Sequence, residues 1–321
     1  MTKCKNEIAM PLTWFGGKAT YWKKILTCFP ENYHLYNWVE VFGGGGSLTT
    51  FKYPSISEVY NDINAELTNF LEVLRTDLPG FMKIAMGAPD SNVLLDKYVK
   101  QAKEEGYLSL SPVERAWRMF YVNVHCFSGL MGNWHGVSSF VRGQDVLPGK
   151  VTPADSIEET YFLGSKTGAR HRAREYYRLL ADMWRFAERW KRVQITNYDF
   201  RYIIEKLDTP TTLFYCDPPY IEKGSKYAEM YGRTEGEEFT IEHHYQLADL
   251  LRNMKGKFVL SIDGKNEEAN KIYFAEKRYH KLEFEQVYTT ARANALEGEH
   301  KKVGSEAVIW NYDNVLGDNI Y

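Results

Sequence analysis

Two consecutive prolines, Pro218 and Pro219, follow the apolar run Leu213-Phe214-Tyr215-Cys216 with only Asp217 between. A central strand cannot continue through them, because proline fixes φ and lacks the N–H that the ladder requires. The strand therefore ends at Asp217, and a charged residue at the end of so apolar a run needs a reason to be there. Two other runs stop on loop chemistry in the same way. Trp38-Val39-Glu40-Val41-Phe42 runs into Gly43-Gly44-Gly45-Gly46, and Ile56-Ser57-Glu58-Val59-Tyr60 runs into Asn61-Asp62-Ile63-Asn64. Helical patterns separate the runs. Strands alternating with helices imply an α/β fold with a mostly parallel sheet, whose ligands collect at the carboxyl ends of the strands. A fourth strand is expected over Phe258–Ile262, after a helix starting near Thr240. A last one, Glu306–Tyr312, is expected to close an antiparallel hairpin at the sheet edge.

Between the second and third runs the pattern changes to mostly helical segments broken by glycine-rich loops. The reading is one domain inserted into another: 1–76 and 193–321 carry the sheet, and 77–192 forms the smaller inserted domain. The four cysteines (Cys4, Cys28, Cys126, Cys216) lack C-x-x-C or zinc spacing, and the eight histidines lack ligand spacing, so no metal is expected. The first residues lack the apolar run of a signal peptide and no stretch is long enough to span a bilayer, so a cytoplasmic protein with no membrane partner is expected. Net charge is -2. A nucleic-acid binder of this balance must gather its basic residues locally.

Glycines without Cβ atoms let the backbone approach a ligand closely and turn sharply into a helix. Asp62 follows about twenty residues on, at the end of the next strand, where a carboxylate can accept from ribose hydroxyls. The plainer alternative is a flexible turn followed by a helix from Asp62 to Arg75 capped by Asp62. Asp217-Pro218-Pro219-Tyr220 adds a more specific signal. The prolines leave carbonyls free to accept, a carboxylate beside such a carbonyl suits an amino group with two hydrogens, and Tyr220 offers a flat face for a base.

These motifs, in this order, resemble those of the Dam-type (alpha-group) DNA adenine N6-methyltransferases over most of the chain. Trp14-Phe15-Gly16-Gly17-Lys18 resembles the family's W-x-G-G-K motif, Val39–Ser47 its E-P-F-x-G-x-G-S loop, and Asn61–Asn64 its D-I-N motif. Asp217–Tyr220 is its D-P-P-Y motif. One departure is Val41 where the family has proline, which is expected to loosen the strand end slightly. The resemblance implies a Rossmann-like S-adenosylmethionine-dependent methyltransferase sheet with an inserted, mainly helical target-recognition domain. It implies site-specific methyl transfer to the N6 amino group of adenine in double-stranded DNA by base flipping. Asp217, Pro218, Pro219 and Tyr220 would be catalytic. Trp14, Lys18, Glu40, Phe42, Gly43, Gly45, Ser47, Asp62, Asp199, Phe200 and Asp217 would bind S-adenosylmethionine, with Asp199 accepting from the cofactor's adenine. The role would be modification beside a cognate restriction endonuclease, or that of a solitary phage or bacterial methylase, and a monomer is expected.

DNA contacts are expected in the inserted domain. Residues 166–192 hold nine Lys or Arg against three acids. Tyr176, Leu180, Met183, Ala187 and Trp190 form one helical stripe, with Arg178, Arg185, Arg189 and Arg192 opposite. A basic face with a buried back suits phosphate contact, and an ordinary solvated face is the alternative. Asn123–Phe140 stands where the family places a base-reading hairpin, with Asn123, His125, Ser128, Asn133, Trp134 and His135 as candidate contacts. It carries Ser128-Gly129 and Gly132-Asn133 where GATC readers have N-G-x-x-R-x-N, so GATC is not carried over as the target. Three other readings stay open. An aminomethyltransferase acting on cytosine would more commonly have serine at position 217. A nicotinamide-dependent oxidoreductase would share the glycine loop but leave the tetrapeptide unexplained. A catalytically silent DNA-binding module would not need that tetrapeptide intact.

Overall fold

A computed structural model of the chain describes residues 8–14, 16–88, 93–94, 97–98, 110–125, 172–221, 238–274, 278–287 and 303–317. The chain divides into two compact units. One comprises Gly17–Thr68, Arg192–Glu229 and Arg233–Tyr321; the other comprises Met1–Gly16, Asn69–Lys191 and Met230–Gly232. Met1–Gly16 thus groups with the mainly helical segment, whereas the sequence pattern alone assigned 1–76 to the sheet.

Among the described residues the first unit builds one seven-stranded sheet. Its strands are β1 (Asn37–Glu40), β2 (Ser57–Asn61), β3 (Val193–Thr196), β4 (Thr212–Cys216), β5 (Lys257–Asp263), β6 (His280–Val287) and β7 (Val303–Trp310). Their order is β3-β2-β1-β4-β5-β7-β6. The first five run parallel, and β7 is antiparallel to both β5 and β6. This is a Rossmann-like α/β sheet. Two strands escaped the sequence pattern, β3 and β6. The hairpin at the end of the chain is present, but its strand β7 lies inside the sheet and β6 takes the edge. Composition explains the order: Ala307, Val308 and Ile309 are fully buried, whereas β6 alternates charged and apolar residues and exposes Glu283 and Glu285. A charged strand at an edge discourages pairing with another chain.

Strand residues alternate between two apolar clusters, as a sheet covered on both faces requires. Val39, Val59, Phe214, Cys216, Phe258, Leu260, Ala307 and Ile309 pack with Ile203 and Ile204 of α7 (Phe200–Leu207), Leu247 and Leu251 of α8 (Ile241–Asn253), and Ile272 of α9 (Glu267–Tyr273). Trp38, Leu213, Tyr215, Val259 and Val308 pack with Ile25 and Leu26 of α1 (Trp22–Leu26) and Leu48 of α2 (Ser47–Phe51). The chain crosses from β1 to β2 on one side, and β4 pairs with β1 on the other. The strand order reverses there, which opens a crevice at the carboxyl ends of β1 and β4.

A third helix, α3 (Ala65–Thr76), follows β2. The remaining helices belong to the second unit: α4 (Leu78–Gly87), α5 (Pro112–His125) and α6 (Arg172–Trp190). Two of them begin where a side chain satisfies free N–H groups. Asp77 accepts from Gly80 N at 3.0 Å, and Ser111 and Glu114 bond reciprocally at the start of α5. Tyr176 of α6 ties three helices together: its hydroxyl accepts from Trp117 Nε1 at 3.2 Å and donates to the Ala85 carbonyl at 2.8 Å. Among the described residues no helix is long and apolar enough to cross a membrane.

Candidate active site

The loops leaving β1, β2 and β3 are held together by one asparagine. Asn61, the last residue of β2, is buried. Its Nδ2 donates to the carbonyls of Val41 (3.0 Å) and Tyr198 (2.9 Å). Its Oδ1 accepts from Thr196 Oγ1 (2.8 Å) and Tyr198 N (2.9 Å). With donors and acceptor all occupied, this amide fixes three strand ends at once. The sequence marked Asn61 only as part of a motif.

The glycine turn follows. Gly43 donates to the Asn61 carbonyl (2.8 Å) and Gly46 to the Gly43 carbonyl (2.8 Å). Gly44 and Gly46 take positive φ of 49° and 69°, where L side chains are strained. Gly43 has a different constraint, since a Cβ there would lie 2.0 Å from the Tyr60 ring. The Tyr60 hydroxyl donates to the Gly44 carbonyl at 2.6 Å. Val41 corrects one expectation. Its N–H donates to the Tyr215 carbonyl at 2.9 Å, a bond no proline could make, so the strand end is tightened and not loosened.

Asp62 does not cap the helix. Asn64 does, accepting from Glu66 N and Leu67 N at 3.1 Å, and α3 starts at Ala65, three residues later than expected. The Asp62 oxygens accept instead from Gly44 N and Asn64 N, each at 2.8 Å. The carboxylate, just after β2, thus braces the glycine turn that follows β1. Asp199 caps α7, accepting from Arg201 N at 2.9 Å, and pairs with the Arg201 guanidinium at 2.8 Å. The Arg201 hydrogen bond holds its carboxyl below the usual range. Phe42 and Phe200, both expected beside a cofactor, are in ring contact at 5.5 Å.

Glu40 is buried on β1 and turned toward α2. Thr49 donates to Glu40 Oε2 through its N–H (3.2 Å) and its hydroxyl, and Trp38 Nε1 donates to Thr49 Oγ1 (2.7 Å). Burial pushes the Glu40 carboxyl up to about 8 despite those bonds. Ser47 is buried as the first residue of α2.

At the end of β4 the charges concentrate. Both oxygens of Asp217 accept from Lys18 Nζ at 2.7 Å, and Lys18 also lies 3.6 Å from Glu306 Oε1. Asp217 is 16% exposed, against 4% for Lys18 and 1% for Glu306. The Tyr220 hydroxyl donates to the Glu306 carboxylate, 2.8 Å from each oxygen, and Lys18 Nζ is 5.1 Å from the centre of the Tyr220 ring. Burial opposes the Lys18 charge, yet the two carboxylates hold its pKa above the ordinary lysine value. Burial pushes the Asp217 carboxyl up against the pull of Lys18. Burial likewise pushes Glu306 up to about 7, with Lys18 pulling down and Asp217 pushing up. One ammonium cannot neutralise two buried carboxylates, so the cluster binds a proton near neutrality. Sequence reading found Lys18, Asp217 and Tyr220 here and missed Glu306. Its only mark was an acid next to the apolar run Ala307–Trp310, without the prolines that announce Asp217.

In the helical unit, Tyr176, Leu180, Met183, Ala187 and Trp190 are buried along α6, and Arg178 and Arg185 are exposed on its other face. Arg185 pairs with Asp182 at 2.9 Å, and Arg189 is half-buried. Trp184 and Tyr177 are exposed on the same helix. Trp14 is half-buried in this unit. Asn123, expected at base edges, is buried, and its amide accepts from Thr13 N (2.8 Å) and donates to the Thr13 carbonyl (3.0 Å). An amide engaged in this way holds backbone together and offers no edge to a base. The His125 side chain, Ser128, Asn133, Trp134 and His135 lie outside the described residues.

A family model described as D12 class N6 adenine-specific DNA methyltransferase matches residues 14–143 and 157–289. No curated protein matches the chain.

Proposed function

The chain belongs to the D12 class of N6 adenine-specific DNA methyltransferases, and from that premise we propose that it takes its methyl group from S-adenosylmethionine and acts on an adenine flipped out of the duplex against Asp217. The observation that carries this reading is the carboxylate pair across the strand-order switch: Asp62 bracing the glycine turn on one side, Asp217 at the end of β4 on the other.

The donor set fits the cofactor. An acidic acceptor stands at the end of β2 beside a turn whose Gly44 and Gly46 carry no side chains, and Phe42 and Phe200 supply apolar surface. Asp62 would hold the ribose hydroxyls. When bound, S-adenosylmethionine supplies an electrophilic methyl group. The aromatic amine is a poor nucleophile because its lone pair is delocalised into the ring. Asp217 and the Pro218 carbonyl accept its two N–H groups, favour a pyramidal nitrogen and stabilise the positive charge it develops. Tyr220 stacks on the base, which must leave the helix because its amino group is otherwise paired. The gain comes from positioning and electrostatics, with no covalent enzyme intermediate.

We assign target recognition to the helical unit, where the exposed Arg178 and Arg185 with the flanking aromatic Trp184 suit a sugar–phosphate backbone. The same chemistry serves a modification enzyme beside a restriction endonuclease or a solitary methylase. The test is to incubate the purified protein with isotopically labelled S-adenosylmethionine and adenine-unmethylated plasmid DNA, then digest to nucleosides. Label in N6-methyladenine is expected; label in a methylated cytosine, or none, would overturn the reading.

A further inference from the structure

The cluster at the end of β4 contains a conflict that the reaction has to resolve. Lys18 holds both oxygens of Asp217 at 2.7 Å. If Asp217 receives the target amine, as proposed above and as this inference assumes, the nitrogen becomes positive as it attacks. An ammonium on the same carboxylate opposes that charge, so the transition state gains if Lys18 withdraws. A second carboxylate lies within reach. Glu306 Oε1 is 3.6 Å from Lys18 Nζ, and its side chain is 1% exposed, so water does not screen the pair. Groups from several elements face Glu306: Lys18 from the turn before α1, Asp217 and Tyr220 from the loop after β4, Tyr215 on β4, and the Ser261 hydroxyl on β5. Of these, Lys18 is the cation.

We propose that Glu306 is a positioning residue that shares the Lys18 ammonium with Asp217, taking it when the target amine occupies Asp217 and coupling that shift to the stacking ring through the Tyr220 hydroxyl. No covalent bond to carbon changes in the shift. Lys18 keeps its proton; Glu306, when protonated, releases its proton to solvent as the ammonium arrives. The ionised form of Glu306 is the one that can accept Lys18. Because burial raises this carboxyl to about 7, kcat/KM for DNA should rise with pH through about 7 and level off above it.

The experiment measures methyl incorporation into adenine-unmethylated plasmid DNA from about pH 5.5 to about pH 8.5 for the wild type, Glu306→Gln, Glu306→Asp and Asp217→Ala. Glutamine keeps an acceptor for Tyr220 but offers Lys18 no charge. It should lower kcat on the order of a hundredfold, leave S-adenosylmethionine affinity unchanged and abolish the rise through neutrality. Aspartate restores the charge, and with it the rise. A Glu306→Gln enzyme with the wild-type rate and profile overturns the proposal. If neither variant folds, the wild-type profile decides: a flat one through about 7 overturns it and a rise supports it. Failure of the wild type to methylate adenine, or full activity in Asp217→Ala, would instead defeat the underlying reading of Asp217.

Discussion

Lys52 and Lys18 are both buried lysines of the sheet unit held by carboxylates, at opposite ends of parallel strands. Lys52 pairs with Glu58 near the start of β2, with side chains 0% and 2% exposed. Its ammonium also donates to Ser55 Oγ at 3.0 Å and lies 4.7 Å from the centre of the Trp38 ring. Here the ammonium pairs with one carboxylate and also pulls down the carboxyl of the buried Glu40. Lys18 meets two carboxylates, Asp217 and Glu306, beyond the end of β4. In the first cluster the ammonium and its carboxylate partner neutralise each other within the core. Among the described residues, the second carries an acid that no fixed cation neutralises, and such a site is improved by a substrate that develops positive charge. Matched burial of ions is a structural solution, while mismatched burial stores binding capacity for a ligand.

The comparison breaks most easily with one substitution in each cluster. Asp217→Ala is expected to lower kcat by at least about a hundredfold to a thousandfold, since it removes an interaction made in the transition state. Its melting temperature should stay close to that of the wild type, because Glu306, 3.6 Å from Lys18, remains to pair the buried ammonium. Lys52→Met should do the reverse. It leaves Glu58 buried without its cation, which costs about 3–5 kcal/mol of stability, while folded molecules methylate at the wild-type rate. Denaturant melts with parallel single-turnover assays check both. A Lys52→Met protein that keeps its stability but loses turnover would erase the distinction between the clusters.

What the sequence revealed and what it hid follow the same physics. β1, β2 and β4 were legible because their apolar runs stop at glycines, Asn-Asp or prolines, and β5 because its apolar run Phe258–Ile262 follows a helical pattern. β3, Val193–Thr196, was not: it is short and only its first residue is buried. β6 hid behind its charges, although Leu282 and Phe284 keep the two-residue period of a strand with one covered face. Asp217 could be found because two prolines announce the end of its strand. Glu306 sits mid-strand with no such punctuation, and Ser305 before it blurs the apolar run. The Lys52–Glu58 pair was invisible because a stretch of loop and strand separates two ordinary-looking charges. Asn123 was assigned to base edges because it stands where the family places its base-reading hairpin, and only the fold reveals its bond to Thr13.

Asp62 sharpens the comparison from the cofactor side. Its oxygens accept from two main-chain N–H groups, those of Gly44 and Asn64. Those bonds stiffen the glycine turn, and a carboxylate has lone pairs enough to accept ribose hydroxyls as well. Asp62→Ala is expected to weaken S-adenosylmethionine binding by about 1–3 kcal/mol and to leave DNA affinity unchanged. Asp62→Asn, which keeps one acceptor, should fall between. Calorimetric titration of the three proteins with S-adenosylmethionine measures this, and an unchanged affinity in the alanine variant would remove Asp62 from the cofactor site.

The smallest effects are expected at the surface, where charge is cheap to hold because water screens it. Arg185 pairs with Asp182 while 51% exposed, and a pair so solvated adds little to stability. An arginine held so weakly can exchange its carboxylate for a phosphate at little cost, which the buried lysines cannot do. Replacing Arg178, Arg185 and Arg189 together with alanine should leave the melt within a few tenths of a kcal/mol for each exposed position. It should weaken binding to all duplexes alike, because phosphate contacts carry no sequence information. Every phosphate deprived of its arginine should flatten the slope of log affinity against log salt by about 0.9. Arg189 is the half-buried member, so its single variant should move stability more and the salt slope less than either neighbour. The measurement is duplex binding across a salt series for the triple variant and each single one, using two duplexes of unrelated sequence. If all four keep the wild-type slope, this face of α6 is solvated surface alone, and the phosphate contacts belong elsewhere in the protein.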